Sequence, residues 1–253
     1  MKNLFYNICI IGAGGTGGNF TARLAQFIST GNYPAEIVLV DGDTVEESNI
    51  SRQPFSKDEL LLNKAVALAS AIEENYGLNV KAYPHYIDTV NDLNKIFQIF
   101  HRQKYGYTLI NILIGCCDNH RCRQVMEQFF DQQDNLIYID SANEFSSGEV
   151  VVGLKIKGKV ISPSRKFYFP EIMLSTEKPK SEESCGAVNI HKPQHLATNC
   201  FASNVLLTVV SKLIADGQID CGIILFDTFN YTCVFRAYEN KEVSNAKICR
   251  YYH

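Results

Sequence analysis

Three glycines at a defined spacing are the first residues in this chain whose arrangement suggests chemistry. Gly12, Gly14 and Gly17 match the pattern G-x-G-x-x-G, directly after the apolar residues 8–11 and before a helix-like segment. Glycines allow the backbone to approach a phosphate closely, and the start of a helix offers unpaired N–H donors and a favourable dipole. The pattern therefore predicts a phosphate-binding loop; the alternative is a tight strand-to-helix turn that binds nothing.

Two acids follow the next apolar run. Asp41 comes directly after residues 37–40, where a predicted strand ends, and Asp43 lies two residues further on. An acid in the position of Asp41 can accept hydrogen bonds from the hydroxyls of a ribose. Asp43 either joins this site or only shapes the turn. The glycine loop and Asp41 together indicate a nucleotide without specifying which one.

The cations and amides that follow Asp41 favour a triphosphate. They are Asn49, Arg52, Gln53 and, on the next predicted helix, Lys64. Fixed cations and amide donors suit phosphate oxygens, whereas a nicotinamide-dependent dehydrogenase would leave them without a role. The alternative for Arg52 is a surface ion pair with Asp43 or Glu46.

A further acid is predicted at the same edge of the sheet. Residues 110–116 are typical of a buried strand, and the chain continues with Cys117, Asp118 and Asn119. Doubly wound sheets bind ligands at the carboxyl ends of their strands, so Asp118 is a candidate magnesium ligand beside the phosphates. Its alternative role is to cap the helix that begins at His120, and Asp118 and Asn119 could divide the two roles. The combination predicts a site for ATP with magnesium.

Together these motifs resemble the adenylating enzymes of the ThiF, MoeB and ubiquitin-activating group. The resemblance is continuous over residues 1–140, and the combined pattern is far more specific than the glycine loop alone. Residues 141–253 resemble, more loosely, the ThiF-like proteins of PRTRC plasmid cassettes. The matching motifs are Gly12-x-Gly14-Gly15-x-Gly17, Asp41-x-Asp43-x-Val45-x-x-Ser48-Asn49-x-x-Arg52-Gln53, Lys64 and Cys117-Asp118-Asn119-x-x-x-Arg123.

The resemblance implies a reaction, its cofactors and a set of site residues. ATP with Mg²⁺ would adenylate the C-terminal carboxylate of a small ubiquitin-like or sulfur-carrier protein, or of a peptide. The catalytic residues that the resemblance implies are Arg52, Lys64 and Asp118, and Asp118 would also be the metal ligand. The nucleotide contacts implied are Gly12, Gly14, Gly15, Gly17, Asp41, Asp43, Asn49, Arg52, Gln53, Lys64 and Asn119.

Cys185 is the one cysteine of the nine in a polar loop, predicted over residues 176–190. It matches the place where some relatives carry a cysteine that captures the activated carbonyl, and this makes it a candidate catalytic residue. His191 and His195 could assist it. Neighbouring lysines would favour the reactive thiolate and neighbouring glutamates would oppose it. The alternative is an exposed thiol without a role.

The elements that must position these residues alternate between strand and helix up to residue 140. Such alternation predicts a parallel sheet covered by helices on both faces. The elements are predicted at 8–11 (strand), 19–30 (helix), 37–40 (strand), 56–76 (helix, from a capping box at Ser56 and Glu59), 80–83 (strand), 90–101 (helix), 107–116 (strand), 120–131 (helix) and 136–140 (strand).

The pattern changes after residue 140. Strands are predicted at 148–155 and 166–174, a long helix at 195–215, and a closing hairpin at 222–226 and 231–238. The predicted fold is thus α/β, a Rossmann-like and mostly parallel sheet with helices on both faces, extended by a C-terminal antiparallel β part and one long helix. Residues 1–140 would form the ATP-binding core and residues 141–253 the C-terminal part of the same domain.

Composition excludes several classes of protein. The chain has 253 residues with 24 basic and 27 acidic side chains, a net charge of −3, so no nucleic-acid or membrane surface is expected. No signal peptide or apolar run of membrane-spanning length is apparent, which predicts a cytoplasmic protein. The nine cysteines include no C-x-x-C pair, so the structural zinc site common in the family is not expected.

One departure from the family pattern leaves a second function open. Relatives usually begin with helices that carry an arginine into the ATP site of the partner in a homodimer. Here a strand is predicted to begin at Asn7, and Lys2 is the only earlier cation. We therefore expect that arginine to be missing, although the resemblance implies a homodimer. The alternative function is a non-catalytic nucleotide-binding scaffold with the same fold.

Overall fold

Alternating strands and helices build the first part of the molecule. The computed structural model describes residues 3–100, 104–182 and 195–238, and the backbone of Ala246–Lys247. Up to residue 143 its elements are β1 Asn3–Ile11, α1 Gly15–Gly31, β2 Ala35–Val40, α2 Glu47–Ile50, α3 Lys64–Tyr76, β3 Val80–Tyr83, α4 Val90–Ile99, β4 Tyr107–Gly115, α5 His120–Gln132 and β5 Leu136–Asn143.

Strands predominate in the second part. Its elements are β6 Ser147–Ile156, β7 Lys159–Ser162, α6 Arg165–Tyr168, α7 Leu196–Asp216, β8 Gln218–Ile219, β9 Gly222–Asp227, β10 Thr232–Ala237 and β11 Ala246–Lys247. Short 3₁₀ turns lie at Lys57–Glu59, Pro170–Leu174 and Lys180–Glu182.

A nine-stranded sheet joins the two parts. Its order is β10-β9-β6-β5-β4-β1-β2-β3, with β7 paired to β6. The run from β5 to β3 is parallel, and the pairs made by β6, β7, β9 and β10 are antiparallel. This confirms the predicted fold class, a mostly parallel α/β sheet extended by antiparallel strands and one long helix.

The central strand β1 serves both faces of the sheet. Tyr6, Ile8 and Ile10 point into one apolar cluster with α1, α3 and α7, whereas Cys9 and Ile11 point into a second cluster with α4 and α5. All five side chains are buried, as the period of two along a strand requires when helices cover both faces. The carboxyl ends of β1, β2 and β4 therefore meet along one edge of the sheet.

Helix α7 packs beside α1 on the first of these faces. The Tyr6 hydroxyl donates to the carbonyl of Leu213 across 3.0 Å, which ties β1 to the end of α7. Among the described residues α7 is the one helix long and apolar enough to cross a membrane by length and composition, and half of its most apolar window is buried inside the protein. Core helices meet the same criteria.

The strand predicted at residues 166–174 is wrong. This stretch forms α6 and then a 3₁₀ turn that begins at Pro170. Proline has no N–H for a strand ladder, and its fixed φ suits the first residue of a helical turn. Arg165, at the start of α6, is buried and paired with acids, so this segment is held by side chains rather than by a neighbouring strand.

The helix predicted from Ser56 begins eight residues late. The capping box of Ser56 and Glu59 forms, but it caps only a 3₁₀ turn, and Leu61 at φ 68° interrupts the chain. The helix starts instead at Lys64, because the Asn63 Oδ1 accepts the N–H of Val66 at 3.1 Å.

Asn63 has a second task. Its Nδ2 donates to the carbonyl oxygens of Asp41 at 2.8 Å and Asp43 at 3.0 Å. One amide thus starts α3 and fixes the acid-bearing turn after β2.

The Asn63→Ala variant should lose about 2 kcal/mol of unfolding free energy, because it removes a helix cap and two further hydrogen bonds. Urea unfolding followed by circular dichroism measures the change. Asn75→Ala is the matched control, since Asn75 is exposed and its amide bonds only within the helix. Equal stability of the two variants would contradict this account.

Candidate active site

The glycine loop between β1 and α1 is tightly packed on one side and open on the other. Gly12 has φ 102°, and a Cβ there would lie 2.7 Å from the carbonyl oxygen of Cys116. A Cβ on Gly17 would lie 2.0 Å from the oxygen of Gly12. At Gly14, by contrast, an added Cβ would meet only Gln53 Nε2, at 3.8 Å. Only glycine allows this turn, and space remains beside Gly14.

That space lies at the start of a long helix. Gly14 is the N-cap of α1, and as a glycine it has no side chain with which to cap this end. The first N–H groups of a helix need acceptors and attract anions, so the loop fits the phosphates of a nucleotide. Gly15 has a different role, because a Cβ there would lie 2.1 Å from Asn199 Nδ2 on α7. Gly15 allows the two helices to approach each other.

Asp41 binds the protein's own backbone. Its Oδ2 accepts the N–H of Ala13 at 2.6 Å, and its Oδ1 accepts the N–H of Asp43 at 2.8 Å. Burial, and then the charge of Asp43, raise the pKa of this carboxyl. Asp41 therefore lies at the predicted place beside the glycine loop, and in addition it holds the loop in shape, a role that the sequence analysis missed.

Asp43 and Lys64 form an ion pair at the same edge. The Lys64 Nζ lies 2.8 Å from Asp43 Oδ2, and the Tyr86 hydroxyl donates to Asp43 Oδ1 at 2.5 Å. Burial acts to raise the pKa of Asp43, but the charges of Lys64 and Lys180 outweigh it, so this pKa lies below its usual range. The pair offsets the unfavourable position of a cation at the first residue of α3. Sequence reasoning did not single out Tyr86.

The turn after α2 presents Arg52 and Gln53. Asn49 is buried, and its Oδ1 accepts the N–H of Glu46 at 3.0 Å while its carbonyl accepts the N–H groups of Arg52 and Gln53. Asn49 thus shapes the turn. The surface ion pair considered for Arg52, with Asp43 or Glu46, does not form, and Arg52 makes no ion pair anywhere in the described ranges.

Gln53 is buried beside the open side of Gly14. Its Nε2 is the nearest group to that space, and its Oε1 has no hydrogen-bond partner among the described residues. Buried polar atoms are normally satisfied, so an orphan at this point fits a site that a ligand completes. The loop, Arg52 and Gln53 offer uncommitted groups in one place.

Asn119, rather than Asp118, takes the capping role at the start of α5. Asn119 caps α5, because its Oδ1 accepts the N–H of Cys122 at 3.0 Å. Asp118 is free of that task, and its Oδ1 lies 2.6 Å from the Nζ of Lys180. Burial acts to raise the pKa of Asp118, but the charge of Lys180 outweighs this, and the pKa lies below its usual range.

Lys180 arrives on a segment, residues 170–182, that we call the strap. The strap is fastened to the start of α5 by backbone and side-chain hydrogen bonds. They join Gln124 Nε2 to the carbonyls of Ile172 and Ser175, the N–H of His120 to Glu177 Oε2, and Asn119 Nδ2 to the carbonyl of Lys178. The sequence showed a charged run here, without any signal of which lysine would reach the acids.

Buried charges underlie the loop that carries Asp118. Asp140, at the end of β5, lies between the guanidinium groups of Arg123 and Arg165, and Arg165 also pairs with Glu149 at 2.6 Å. Arg123 Nη2 donates to the carbonyl of Cys117 at 2.6 Å. Arg123, which belongs to the motif that resembles the family, thus holds the loop that carries Asp118.

Glu127 is a second buried acid, on α5. It accepts the Ser164 hydroxyl at 2.5 Å and the N–H of Lys166 at 3.1 Å. Burial raises its pKa to about 7 from an ordinary 4.5, because these hydrogen bonds only partly offset the loss of water.

Three residues predicted near the site are accounted for as follows. Cys185 and His191 lie outside the described residues. His195 is the N-cap of α7, and its ring packs against Phe145 and Phe229 with centroids 5.3 and 5.9 Å away.

Within the described part of the chain no group of three or more His, Cys, Asp or Glu side chains could hold a metal ion. Asp118 would offer Mg²⁺ one carboxylate. This fits a metal that takes its remaining ligands from phosphates and water, as Mg²⁺ in nucleotide sites usually does.

Comparison with known proteins identifies a family for this chain. The sequence pattern of the ThiF family matches residues 2–247 of the chain. Ubiquitin-like modifier-activating enzyme 5 of Bombyx mori is 23% identical over 138 residues, 54% of this chain and 34% of the relative. The same enzyme of Oryza sativa subsp. japonica is 28% identical over 126 residues, 49% and 29% of the respective chains. The chain thus spans about a third of the length of these relatives.

Solved structures show the same fold. E. coli MccB with ATP has a TM-score of 0.60 at 18% identity and covers 93% of this chain and 64% of its own. PaaA has a TM-score of 0.60 at 15% identity and covers 92% and 64%. Both structures are longer than the chain described here.

Glu127 should make stability depend on pH. Because its pKa is raised in the folded state, it stabilises the fold below pH 4.5, and this contribution is lost as the pH rises through about 7. Between these values the wild type should lose up to roughly 3 kcal/mol of unfolding free energy relative to Glu127→Gln. Urea unfolding from about pH 5 to about pH 8 measures the difference. Glu74→Gln, at an exposed position of α3, should show the same pH dependence of unfolding free energy as the wild type. If Glu127→Gln also shows the wild-type pH dependence, the account of Glu127 is wrong.

Proposed function

Because the chain belongs to the ThiF family, we propose that it is an adenylating enzyme that uses ATP to activate a carboxylate. The substrate would be the C-terminus of a small ubiquitin-like or sulfur-carrier protein, or of a peptide. Support comes from relatives named as ubiquitin-like modifier-activating enzymes, and from MccB structures that hold ATP, or AMPCPP together with MccA.

One observation carries the proposal. The open side of Gly14, the side chain of Arg52 and the carboxylate of Asp118 lie on loops that leave the same edge of the sheet, and Arg52 makes no ion pair within the described ranges. A dinucleotide site requires the open space beside Gly14 and gives no reason for Arg52 or Asp118. A triphosphate requires all three, because its charge needs N–H donors, a cation and a metal ligand.

Each site residue then has a stated role in the proposal. The N–H groups at Gly14 and the first turn of α1 bind phosphate oxygens, and Asp41 faces the ribose while it holds the loop. Arg52 neutralises the outer phosphates, and Lys64, fixed by Asp43, adds a second cation. Positions that orient these groups are Gly12, Gly15, Gly17, Asn49, Gln53 and Asn119.

Catalysis would consist mainly of positioning and charge neutralisation. A carboxylate oxygen of the substrate attacks the α-phosphorus of ATP, and pyrophosphate leaves. Mg²⁺ held by Asp118 would supply further neutralisation of the phosphates. The backbone around these groups is fixed before the reaction. Asn63 holds the turn of Asp41 and Asp43, Asn49 shapes the turn of Arg52 and Gln53, and Arg123 holds the loop of Asp118.

We also propose a special closeness to the ThiF-like proteins of PRTRC cassettes, a homodimer, and a cytoplasmic location. Sedimentation of the purified chain tests the homodimer directly.

Isothermal titration with ATP and Mg²⁺, and with NAD as the competing ligand, tests the nucleotide. ATP should bind and NAD should not. Pyrophosphate exchange with small glycine-ending proteins purified from the native host then tests the reaction. Tighter binding of NAD would contradict the proposal, and binding of ATP without exchange for any partner would favour a non-catalytic scaffold.

Arg52→Ala should lower the rate of exchange at least about tenfold, which corresponds to roughly 1.4 kcal/mol of transition-state stabilisation. Arg23→Ala is the matched control, because Arg23 is exposed on α1 and, among the described residues, its side chain bonds to Gln26 alone. Equal rates for both variants would remove Arg52 from the site.

We further propose that the thiolate of Cys185 attacks the carbonyl of the acyl-adenylate and releases AMP, which would leave a thioester. Cys185→Ser should then keep pyrophosphate exchange near the wild-type rate and lose any thiol-sensitive complex with the substrate protein. Gel electrophoresis with and without reductant reads this out. Persistence of the complex in the variant would assign the thiol elsewhere, and no complex in the wild type would mean that the reaction stops at the adenylate.

A further inference from the structure

The strap places the ammonium group of Lys180 beside Asp118, an acid of the proposed site. Lys180 Nζ lies 2.6 Å from Asp118 Oδ1, and its charge also acts on Asp43 and Asp41. Three carboxylates at this edge thus face two lysines, Lys64 and Lys180.

The two lysines differ in how firmly they are held. The Lys64 side chain is 8% exposed and is committed to Asp43, whereas Lys180 and Asp118 are 27% and 46% exposed. An ion pair open to water contributes little stability, so the Lys180 pair is the one that can exchange.

The strap does not depend on this pair. Its position is fixed by the hydrogen bonds of Gln124, Glu177 and Asn119, which end at residue 178. The Lys180 side chain can therefore change partner while the strap keeps its place, since only rotations about its flexible four-carbon stem are needed.

We propose that Lys180 is a further binding residue of the nucleotide site, and that it exchanges partners when the site fills. Without a divalent cation its ammonium neutralises Asp118. When the cation takes Asp118, the ammonium passes to a phosphate oxygen of the nucleotide. The proposal rests on the nucleotide site described above and adds a residue that the sequence motifs do not contain.

Charge balance favours the exchange. Lys180 pairs with Oδ1 of Asp118, and a divalent cation bound to the same carboxylate would repel the ammonium and weaken its pairing, so binding of the cation favours release of Lys180. Nucleotide phosphates bring new negative charge to the same edge, and an ammonium with three donors suits them. Lys180 consequently has an anionic partner both before and after binding.

The first test measures metal binding without nucleotide. Mn²⁺ is titrated into the purified full chain and the free ion is followed by electron paramagnetic resonance. Lys180→Gln should bind Mn²⁺ about fivefold more tightly than the wild type, the equivalent of roughly 1 kcal/mol, because the competing ammonium is gone. Lys178→Gln removes the same charge from an exposed position on the strap and should match the wild type. Asp118→Asn should weaken binding.

The second test measures nucleotide binding, with the analogue AMPCPP at saturating Mg²⁺. Lys180→Gln should now bind about fivefold more weakly than the wild type, Lys180→Arg should retain most of the affinity, and Lys178→Gln should be unchanged. A merely structural role for Lys180 would not tighten metal binding while it weakens nucleotide binding.

Equal Mn²⁺ affinity in the wild type, Lys180→Gln and Lys178→Gln would overturn the proposal, whatever the enzymatic activity. AMPCPP affinity unchanged in Lys180→Gln would overturn its second half. If both shifts appear but pyrophosphate exchange fails with every carboxylate partner, the role of Lys180 stands and the adenylation reaction falls.

Discussion

The rest of the site depends on the hydrogen bonds that the carboxylate of Asp41 accepts from the backbone. It accepts one N–H from the glycine loop and one from its own turn, so it joins the ends of β1 and β2. Without this link the loop would keep its glycines and lose its position relative to Asp43. Because the group is partly buried, its two hydrogen bonds are shielded from water, and they help to fix the geometry of the loop.

Charge is then distributed in two layers. Beneath the site, Asp140 is enclosed by Arg123 and Arg165 with almost no access to water. Such clusters add little net stability, but removal of one member leaves a buried charge, so they favour a single arrangement of the loop above them. At the surface of the site, Lys180 and Asp118 form an ion pair that is partly open to water. A buried layer of charges thus supports a more accessible one.

The fold and much of the site could be predicted because their causes are local in sequence. The glycine spacing, the acid after β2 and the cap before α5 are all signalled by residues within one turn of the feature they produce. The exact start of α3 could not be predicted, because two good capping residues, Ser56 and Asn63, compete, and only contacts of Asn63 with the turn of Asp41 decide between them. Lys180 and Tyr86 were missed for a related reason. Tyr86 contacts Asp43 and Lys180 contacts Asp118, and each pair is too far apart in the sequence for a periodic pattern to predict the contact.

The hydrogen bond between Tyr6 and Leu213 spans 207 positions of the chain. Helix α7 covers the face of the sheet formed by β1 and lies against α1, the first helix among the described residues. A nascent chain therefore presents an uncovered apolar surface on β1 and α1 until α7 has left the ribosome. Non-local contacts of this kind slow folding and expose intermediates to aggregation. Completion of this part of the core therefore waits until residues 196–216 have been synthesised.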